Sequence, residues 1–310
     1  MKRVARLLLP LLLAAIALAA CSESSSRSRA VAVTFDDLPA VRGSVDDVVA
    51  LNQRLLKALN DAGIRATGFV VAEKLLENDA TPKYREILTR WLAHGHALGS
   101  HSYSHPSAHS VPFAEYKLDV IRADEIIRPI LEANGTTLTY YRHPLLHTGN
   151  TAELHAALRD FLGSRGYTTA PVTFDSDEYV FDLVYARAKR AGDNESMERI
   201  ASSYLSYMER IVEHYERRSR EVLGREPAQI LLLHANEINS DHFGKLVGLL
   251  ERRGYTFVSL EQALQDPAYA LPDAVVPKGY SWIDRWGLAK GLEISEMPAL
   301  PQWIAELAQQ

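Results

Sequence analysis

The sequence predicts an α/β fold built on a parallel sheet. Short segments rich in β-branched residues alternate with longer amphipathic segments, which is typical of βα units. Seven strand segments follow one another in this way, at 31–35, 66–71, 97–100, 138–142, 168–174, 229–233 and 255–258. Seven such units fit either a doubly wound open sheet or an incomplete barrel. In both architectures the chemistry lies at the C-terminal ends of the strands.

The helices between these strands carry start and stop signals. Ser44 followed by Asp47 is typical of a capping box, and the apolar positions after it, 48, 51, 55 and 59, have helical spacing. Glycines at the predicted helix ends favour the left-handed residue that commonly terminates a helix: Gly63, Gly95, Gly135, Gly166 and Gly254. The helices are therefore well delimited in the sequence.

Composition and charge exclude some classes of function. With 47% hydrophobic and 24% charged residues, the 310-residue chain has the composition of a packed globular protein. A net charge of −5 gives no basic surface for a nucleic acid, so none is expected as a partner. Because Cys21 is the only cysteine, no intramolecular disulfide can form, and any metal must be bound by His, Asp or Glu.

The N-terminus resembles a bacterial lipoprotein signal. Basic residues precede an apolar run at 7–20, and Leu18-Ala19-Ala20-Cys21 is similar to a lipobox. We expect residues 1–20 to be a signal peptide and residues 21–29 to be a flexible tether, lipidated at Cys21. The protein would then be anchored to a membrane and face the periplasm, and Ser22 favours the outer membrane of the cell envelope. The alternative is an ordinary signal peptide followed by a free cysteine.

Ionisable side chains follow the first and third predicted strands. Asp36 and Asp37 are adjacent carboxylates, which repel unless a cation or a shared proton lies between them. The first strand therefore favours a metal site, although a turn or helix-capping pair of aspartates is the alternative. His101 ends the third strand, and His105 follows at a spacing that could place both imidazoles on one helical turn.

Histidine spacing alone does not select one pair. The same spacing recurs at His105/His109 and at His143/His147. His101 ends the third strand, so the fold argument selects the pair His101 and His105 as the one beside Asp37. His109 and His147 are expected in loops or at the surface.

Three further ionisable residues mark the ends of later strands: Arg142, Asp175 and His234. The segments TFDD, HSYSH, RHP, DSDEY and LLLH occur in this order, and together they resemble the polysaccharide deacetylase (NodB-like) family of carbohydrate esterases. The resemblance covers residues 30–264. It implies an irregular (β/α)7 barrel for the catalytic domain.

The resemblance also implies a role for each residue. One divalent metal, usually zinc, would be held by Asp37, His101 and His105. Asp36 would be the general base, and Arg142 would orient it. His234 would be the general acid, and Asp175 would polarise it. This assignment agrees with the chemistry, because two histidines and one aspartate leave open coordination positions on zinc, and amide cleavage requires a proton for the departing amine.

The chain departs from the family pattern at two places. The family has Arg-x-Pro-aromatic-Gly where this chain has leucines at 145 and 146, so a backbone donor for the reacting oxygen is expected near Leu145 without the usual glycine. The fourth motif usually ends Asp-Trp, and Glu178-Tyr179 stands in its place. The expected substrate contacts are Leu145, Tyr179 and Leu232.

Two segments lie outside the shared pattern. Residues 180–223 form a long insertion with apolar residues at helical spacing and a break near Gly192. We expect a helix pair packed on the barrel, with a substrate lid as the alternative. Residues 265–310 form a C-terminal extension rich in proline and tryptophan. Packing against the barrel is expected there, with sugar stacking on Trp282, Trp286 or Trp303 as the alternative.

The predicted function is removal of N-acetyl groups from a glycan that contains N-acetylglucosamine, in the envelope or outside the cell. Hydrolysis of other amides or of O-acetyl esters by the same site is one alternative. A non-catalytic glycan-binding lipoprotein is another, but binding alone does not require an acid and a base. The sequence leaves the particular glycan and the oligomeric state open.

Overall fold

A computed structural model describes residues 29–76 and 81–310. The predicted signal peptide, the lipidation site Cys21 and the tether up to residue 28 lie outside these ranges. The strands are Arg29–Leu38 (β1), Thr67–Val70 (β2), Ala97–Ser100 (β3), Tyr140–Tyr141 (β4), Thr168–Thr169 (β5), Gln229–His234 (β6) and Tyr255–Val258 (β7). The seven predicted strands are therefore all present.

Ten α-helices connect and cover these strands in the described ranges. They are Val45–Asp61 (α1), Thr81–Ala93 (α2), Phe113–Ala133 (α3), Ala152–Ser164 (α4), Glu178–Ala191 (α5), Asn194–Leu223 (α6), Glu237–Arg252 (α7), Leu260–Ala263 (α8), Trp282–Ala289 (α9) and Gln302–Ala308 (α10). Short 3₁₀ turns occur at Ala72–Leu76, Pro144–Leu146 and Pro267–Ala270. None of the described helices combines the length and apolarity needed to cross a membrane.

All strand pairs are parallel, and β1 is the centre of the sheet. One edge of β1 pairs with β6, while the opposite edge pairs first with β7 and then with β2. The sheet continues from β2 through β3 and β4 to β5. Beyond β5 the chain returns to the sheet at Phe174, which forms a bridge with Leu231 of β6. This closure confirms the predicted irregular (β/α)7 barrel.

The fifth strand is shorter than predicted, and proline explains the difference. Ala170 N–H still donates to the Tyr141 carbonyl at 2.8 Å. Pro171 has no N–H, so the ladder is interrupted there. Pairing resumes only where the Thr173 and Phe174 N–H groups reach the Ile230 carbonyl of β6, each at 3.0 Å. Within the predicted segment 168–174, residues 168–170 therefore pair with β4, and residues 173 and 174 pair with β6.

Helix α1 begins as predicted. Ser44 Oγ accepts the Asp47 N–H at 3.3 Å, and the Asp47 carboxylate accepts the Ser44 N–H at 3.1 Å, which completes a capping box. The buried face of the helix includes the predicted apolar positions: Val48, Leu51, Leu55 and Leu59. Periodicity and capping therefore agree on this helix.

Packing of Phe35 in the core fixes the direction of the side chains near the end of β1. The ring of Phe35 lies 5.9 Å from Trp91 of α2 and 5.6 Å from Phe243 of α7, measured between centroids. Side chains alternate along a strand, so a Phe35 ring locked between two helices fixes the direction of its neighbour Asp36. Packing of one aromatic residue thus orients the adjacent carboxylate.

The insertion and the extension both pack on the barrel. Helices α5 and α6 meet at Gly192, where a φ of 68° ends the first helix, and Asp193 caps the second by accepting the Ser196 N–H at 3.0 Å. Buried residues of α6, including Tyr204 and Tyr215, belong to the main core. The extension contributes Trp282, Ile283, Trp286 and Ile304 to the same core. Both expectations of packing are confirmed.

Candidate metal and catalytic site

The candidate site lies where β1 and β6 end side by side. Asp36 and His234 are partners in the register of these two strands, and the Ala235 N–H donates to the Asp36 carbonyl at 3.0 Å. Each of these two residues directly follows its predicted strand, and the register places them opposite each other. Asp37 follows at the same rim.

The structure brings Asp37, His101 and His105 together. One ligand atom from each lies within 4.8 Å of the others, and His105 Nε2 lies 3.9 Å from Asp37 Oδ1. Within the described residues, the competing spacings at His105/His109 and His143/His147 form no such group. Two imidazoles and one carboxylate are a donor set that suits zinc and leaves positions open for other ligands.

His101 is prepared to act as a ligand. Its Nδ1–H donates to the Arg142 carbonyl at 2.8 Å, which leaves Nε2 as the nitrogen that can bind a metal. Burial lowers the pKa of His101 to about 4, so the ring is neutral at physiological pH, as a metal ligand must be. The donor set and the neutral ring of His101 therefore fit a divalent cation.

The two histidines approach through a strained loop and not through a helical turn, so the expected helical geometry is wrong. Asp37, Ser102 and His105 have φ values of 66°, 69° and 58°. A left-handed conformation costs of the order of 1–2 kcal/mol for a residue with a side chain. Hydrogen bonds offset this cost, because Ser102 Oγ accepts the His105 N–H at 3.0 Å and Asp119 accepts the Tyr103 N–H at 2.7 Å.

Asp36 is a buried carboxylate held by Arg142. The two oxygens of Asp36 lie 3.1 and 3.2 Å from Arg142 Nη1, while Arg142 Nη2 donates to Thr34 Oγ1 at 3.1 Å and Nε donates to the Ala170 carbonyl at 2.9 Å. His101 Nε2 lies 3.7 Å from the second carboxylate oxygen of Asp36. The guanidinium thus fixes Asp36 beside His101, one of the three candidate metal ligands.

His234 is held by Glu178, and this corrects the expected pairing with Asp175. Glu178 Oε1 lies 2.7 Å from His234 Nδ1 and also accepts the His234 N–H at 2.8 Å, while Oε2 accepts from Asn236 Nδ2 at 2.9 Å. Glu178 is the first residue of α5, and its longer side chain reaches the end of β6. Asp175 instead accepts the N–H of Ser176 at 2.9 Å.

Burial and neighbouring charges shift the pKa values of His234 and Asp175. Burial opposes protonation of His234, but the hydrogen bond and charge of Glu178, with the nearby Asp37 and Asp36, raise the pKa of His234 to about 9. Burial, with the charge of Asp177, raises the pKa of Asp175 to about 6. His234 is therefore a protonated acid at neutral pH in the metal-free protein, and a bound cation would lower its pKa.

Exposure distinguishes the groups that a substrate can reach. The side chains of Asp37, His105 and His234 are 18%, 31% and 20% exposed. Those of Asp36, Arg142 and Glu178 are buried. The site therefore opens on two of the candidate ligands and on the candidate acid, while the candidate base Asp36 lies behind them with Arg142 and Glu178, which hold the base and the acid.

The three expected substrate contacts differ in accessibility. Leu145 and Tyr179 are 53% and 49% exposed, and the Tyr179 ring centroid lies 6.1 Å from that of His234. Leu232 is buried in the main core. Leu145 and its neighbour Leu146 have φ values of 56° and 54°, so the turn after Arg142 adopts a glycine-like conformation with leucines.

Sequence comparison supports the family resemblance over part of the chain. A family model described as polysaccharide deacetylase matches residues 23–161, which contain the three candidate ligands, Asp36 and Arg142 but end before His234. A peptidoglycan-N-acetylglucosamine deacetylase from Bacillus cereus is 31% identical over 97 residues, covering 31% of this chain and 30% of that protein. A chitin deacetylase from Pestalotiopsis sp is 28% identical over 151 residues, covering 49% and 44%. The chain thus spans less than half the length of these two relatives.

Comparison with solved structures supports the fold. A polysaccharide deacetylase from Bacillus cereus aligns with a TM-score of 0.51 and 18% identity over 74% of this chain and 91% of that one. A CE4 family pseudoenzyme from Bacillus anthracis aligns with a TM-score of 0.52 and 15% identity, over 77% and 66%. Residues 23–161 of this chain therefore match the polysaccharide deacetylase family, and about three quarters of the chain is similar in fold to these two solved proteins.

Proposed function

We propose that the protein is a metal-dependent hydrolase that removes N-acetyl groups from a glycan containing N-acetylglucosamine. The observation that carries the proposal is the pairing of two differently held proton-transfer groups on one rim. Asp36 is a carboxylate bound by Arg142, and His234 is an imidazole bound by Glu178. A protein that only binds a glycan does not require this combination of base and acid beside a ligand set.

The donor set of Asp37, His101 and His105 would hold the cation. When bound, a divalent metal supplies Lewis acidity that activates water and polarises the acetamide carbonyl. Asp36 would accept the proton of the attacking water, and Arg142 would keep this carboxylate oriented. The N–H of Leu145 is the proposed backbone donor to the carbonyl oxygen, as the family resemblance implies.

His234 would complete the reaction by protonating the departing amine. The hydrogen bond from Nδ1 to Glu178 leaves Nε2 as the nitrogen that can deliver a proton. An amine is a poor leaving group without a proton, so the acid is required for amide substrates. This requirement separates amide hydrolysis from the hydrolysis of activated esters.

The proposal is tested with purified protein and four kinds of substrate. N-acetylated chito-oligosaccharides and peptidoglycan fragments should lose acetyl groups, as detected by mass spectrometry, and Asp36→Asn protein should fail to remove them. Faster turnover of O-acetyl esters or of non-carbohydrate amides would assign the site to the alternative hydrolase. Binding of the glycans without release of acetate would favour the non-catalytic alternative.

The proposed location is the cell envelope, with Cys21 lipidated and the barrel facing the periplasm. Labelling with a fatty acid tests the lipidation. Its support is the sequence before and after Cys21. Mature lipoproteins with several acyl chains are stably anchored, because each buried methylene contributes about 0.8 kcal/mol. An anchored enzyme of this kind would act on glycans near the membrane.

A further inference from the structure

The C-terminal extension contacts two loops at the rim of the barrel. Ser281 Oγ donates a hydrogen bond to the Thr173 carbonyl at 2.9 Å, and the Trp282 N–H donates to the Val172 carbonyl at 2.7 Å. These two acceptors precede the loop that leads to Asp175 and Glu178. The same part of the extension also contacts the turn that follows Arg142.

Arg285 binds this turn directly. It is fully buried, and its guanidinium donates hydrogen bonds to the Leu146 carbonyl, to Thr148 Oγ1 at 2.6 Å and to the Tyr280 carbonyl at 3.0 Å. Asp273 Oδ2 lies 3.6 Å from Arg285 Nη1, and this carboxylate balances part of the positive charge of the guanidinium. Burial lowers the pKa of Arg285 to about 10, so the guanidinium stays charged at neutral pH. A buried cation needs such acceptors, which ties the turn and the extension together.

Gly279 lies against Leu145, which precedes Leu146 in the same turn. A Cβ atom added at Gly279 would lie 2.2 Å from the Leu145 carbonyl oxygen and 3.2 Å from Leu146 Cβ. Both leucines have positive φ, which a leucine adopts only when its surroundings impose it. Close contact with Gly279 and the hydrogen bond from Arg285 supply such an imposed geometry.

We propose that segment 273–285 of the extension is part of the active-site wall, with Arg285 and Gly279 as positioning residues for the Leu145–Leu146 turn. The turn begins three residues after Arg142 and presents Leu145 at the open side of the rim. In this chain, contacts with the extension stabilise the left-handed backbone conformation that a glycine in the turn would adopt without them. The catalytic consequence rests on the proposed function, because it concerns the Leu145 N–H as a donor to the reacting carbonyl.

The test compares Gly279→Ala with Gly163→Ala. The added methyl group at 279 must displace the Leu145 carbonyl, whereas a Cβ at Gly163 meets nothing within 4 Å. Displacement of a catalytic group by about 1 Å can cost roughly 100-fold in rate. We expect Gly279→Ala to lose about that factor in kcat and in kcat/KM together, with KM nearly unchanged, and Gly163→Ala to match the wild type. Metal content should be equal in all three proteins, because the ligands lie on other loops.

Hydrogen exchange tests the structural part without an activity assay. In Gly279→Ala and in Arg285→Met, amides of residues 143–149 should exchange faster than in the wild type, while those of residues 101–105 should not change. Unchanged exchange at 143–149 in Gly279→Ala would overturn the inference. Faster exchange with unchanged kcat would overturn the catalytic role of the turn. If the wild type hydrolysed no acetylated substrate, the proposed function would fail, and exchange would still decide whether the extension holds the turn.

Discussion

Glu178 Oε1 lies 2.7 Å from His234 Nδ1, and this buried carboxylate accepts the ring N–H and the backbone N–H of the same histidine. Two hydrogen bonds to one oxygen fix both the position and the tautomer of the imidazole. The proposed general acid is therefore held by the first residue of helix α5, and not by Asp175, which follows the predicted fifth strand.

Replacement of Glu178 by Gln should impair the acid. The amide of Gln removes the negative charge that raises the pKa of His234, and loss of a positioned acid or base typically costs 10²- to 10⁴-fold in rate. We expect a loss in this range for amide substrates, and the basic limb of the pH profile should move to lower pH. The control is Asp175→Asn, which removes a carboxylate without a hydrogen bond to His234. A larger loss in Asp175→Asn than in Glu178→Gln would contradict the assignment.

The metal assignment is tested with a pair of histidine variants. His101→Ala removes a buried ligand, so the purified protein should retain far less than one equivalent of divalent metal by elemental analysis. His109→Ala is the matched control, because His109 belongs to the same histidine-rich stretch but stacks on His147 with centroids 3.9 Å apart, outside the ligand group. Stoichiometric metal in His101→Ala, or loss of metal in His109→Ala, would refute the assignment.

The buried histidine at position 96 predicts a pH dependence of stability. Burial lowers the pKa of His96 to about 4, and its Nδ1 accepts the Ala66 N–H at 3.2 Å. The folded state therefore favours the neutral ring, so stability is fully present above the unfolded pKa near 6.5 and is lost as the pH falls toward 4.

Urea denaturation of the wild type and His96→Asn at several pH values measures this effect. The wild-type free energy of unfolding, relative to the variant, should fall by up to about 3 kcal/mol across that window. A difference between the two proteins that does not change with pH would contradict the prediction.

Lipidation at Cys21 is tested in cells. The residues around Cys21 resemble a lipobox, so cells fed a labelled fatty acid should incorporate it into the wild type and not into Cys21→Ser protein. Label of equal strength in both proteins, or none in the wild type, would reject the lipoprotein assignment. The fractionation of the labelled protein between inner and outer membranes tests the sorting proposed from Ser22.

Local patterns in the sequence predicted the strands, and the strand ends in turn predicted that Asp37, His101 and His105 lie together. Short segments rich in β-branched residues mark the strands, and the Asp36-Asp37 pair and His101 come immediately after two of them. The pairing of His234 with Glu178 could not be read in the same way, because it depends on where α5 begins and on the reach of a longer side chain. The signal was present, since Glu178-Tyr179 stands where the family has Asp-Trp.

The geometry of the histidine loop and the docking of the extension also lie beyond sequence patterns. Spacing favoured a helical turn for His101 and His105, but backbone N–H groups of the loop donate to Ser102 Oγ and to the Asp119 carboxylate, and these bonds stabilise left-handed residues instead. The contact of Gly279 with Leu145 joins positions 134 residues apart in the sequence. Composition identified the extension as a packed segment, but only the fold shows which loop it meets.

The central claim is tested most directly by comparing an N-acetyl amide with an activated acetyl ester in two variants. Asp36→Asn should keep the metal and lose about 10²- to 10⁴-fold in kcat/KM on both substrates, because both need an activated water. His234→Ala should keep the metal and lose a similar factor on the amide while hydrolysing the ester far better, because a good leaving group needs no proton. If His234→Ala slowed the amide and the ester by the same factor, His234 would not be the general acid, and the proposed mechanism would be wrong.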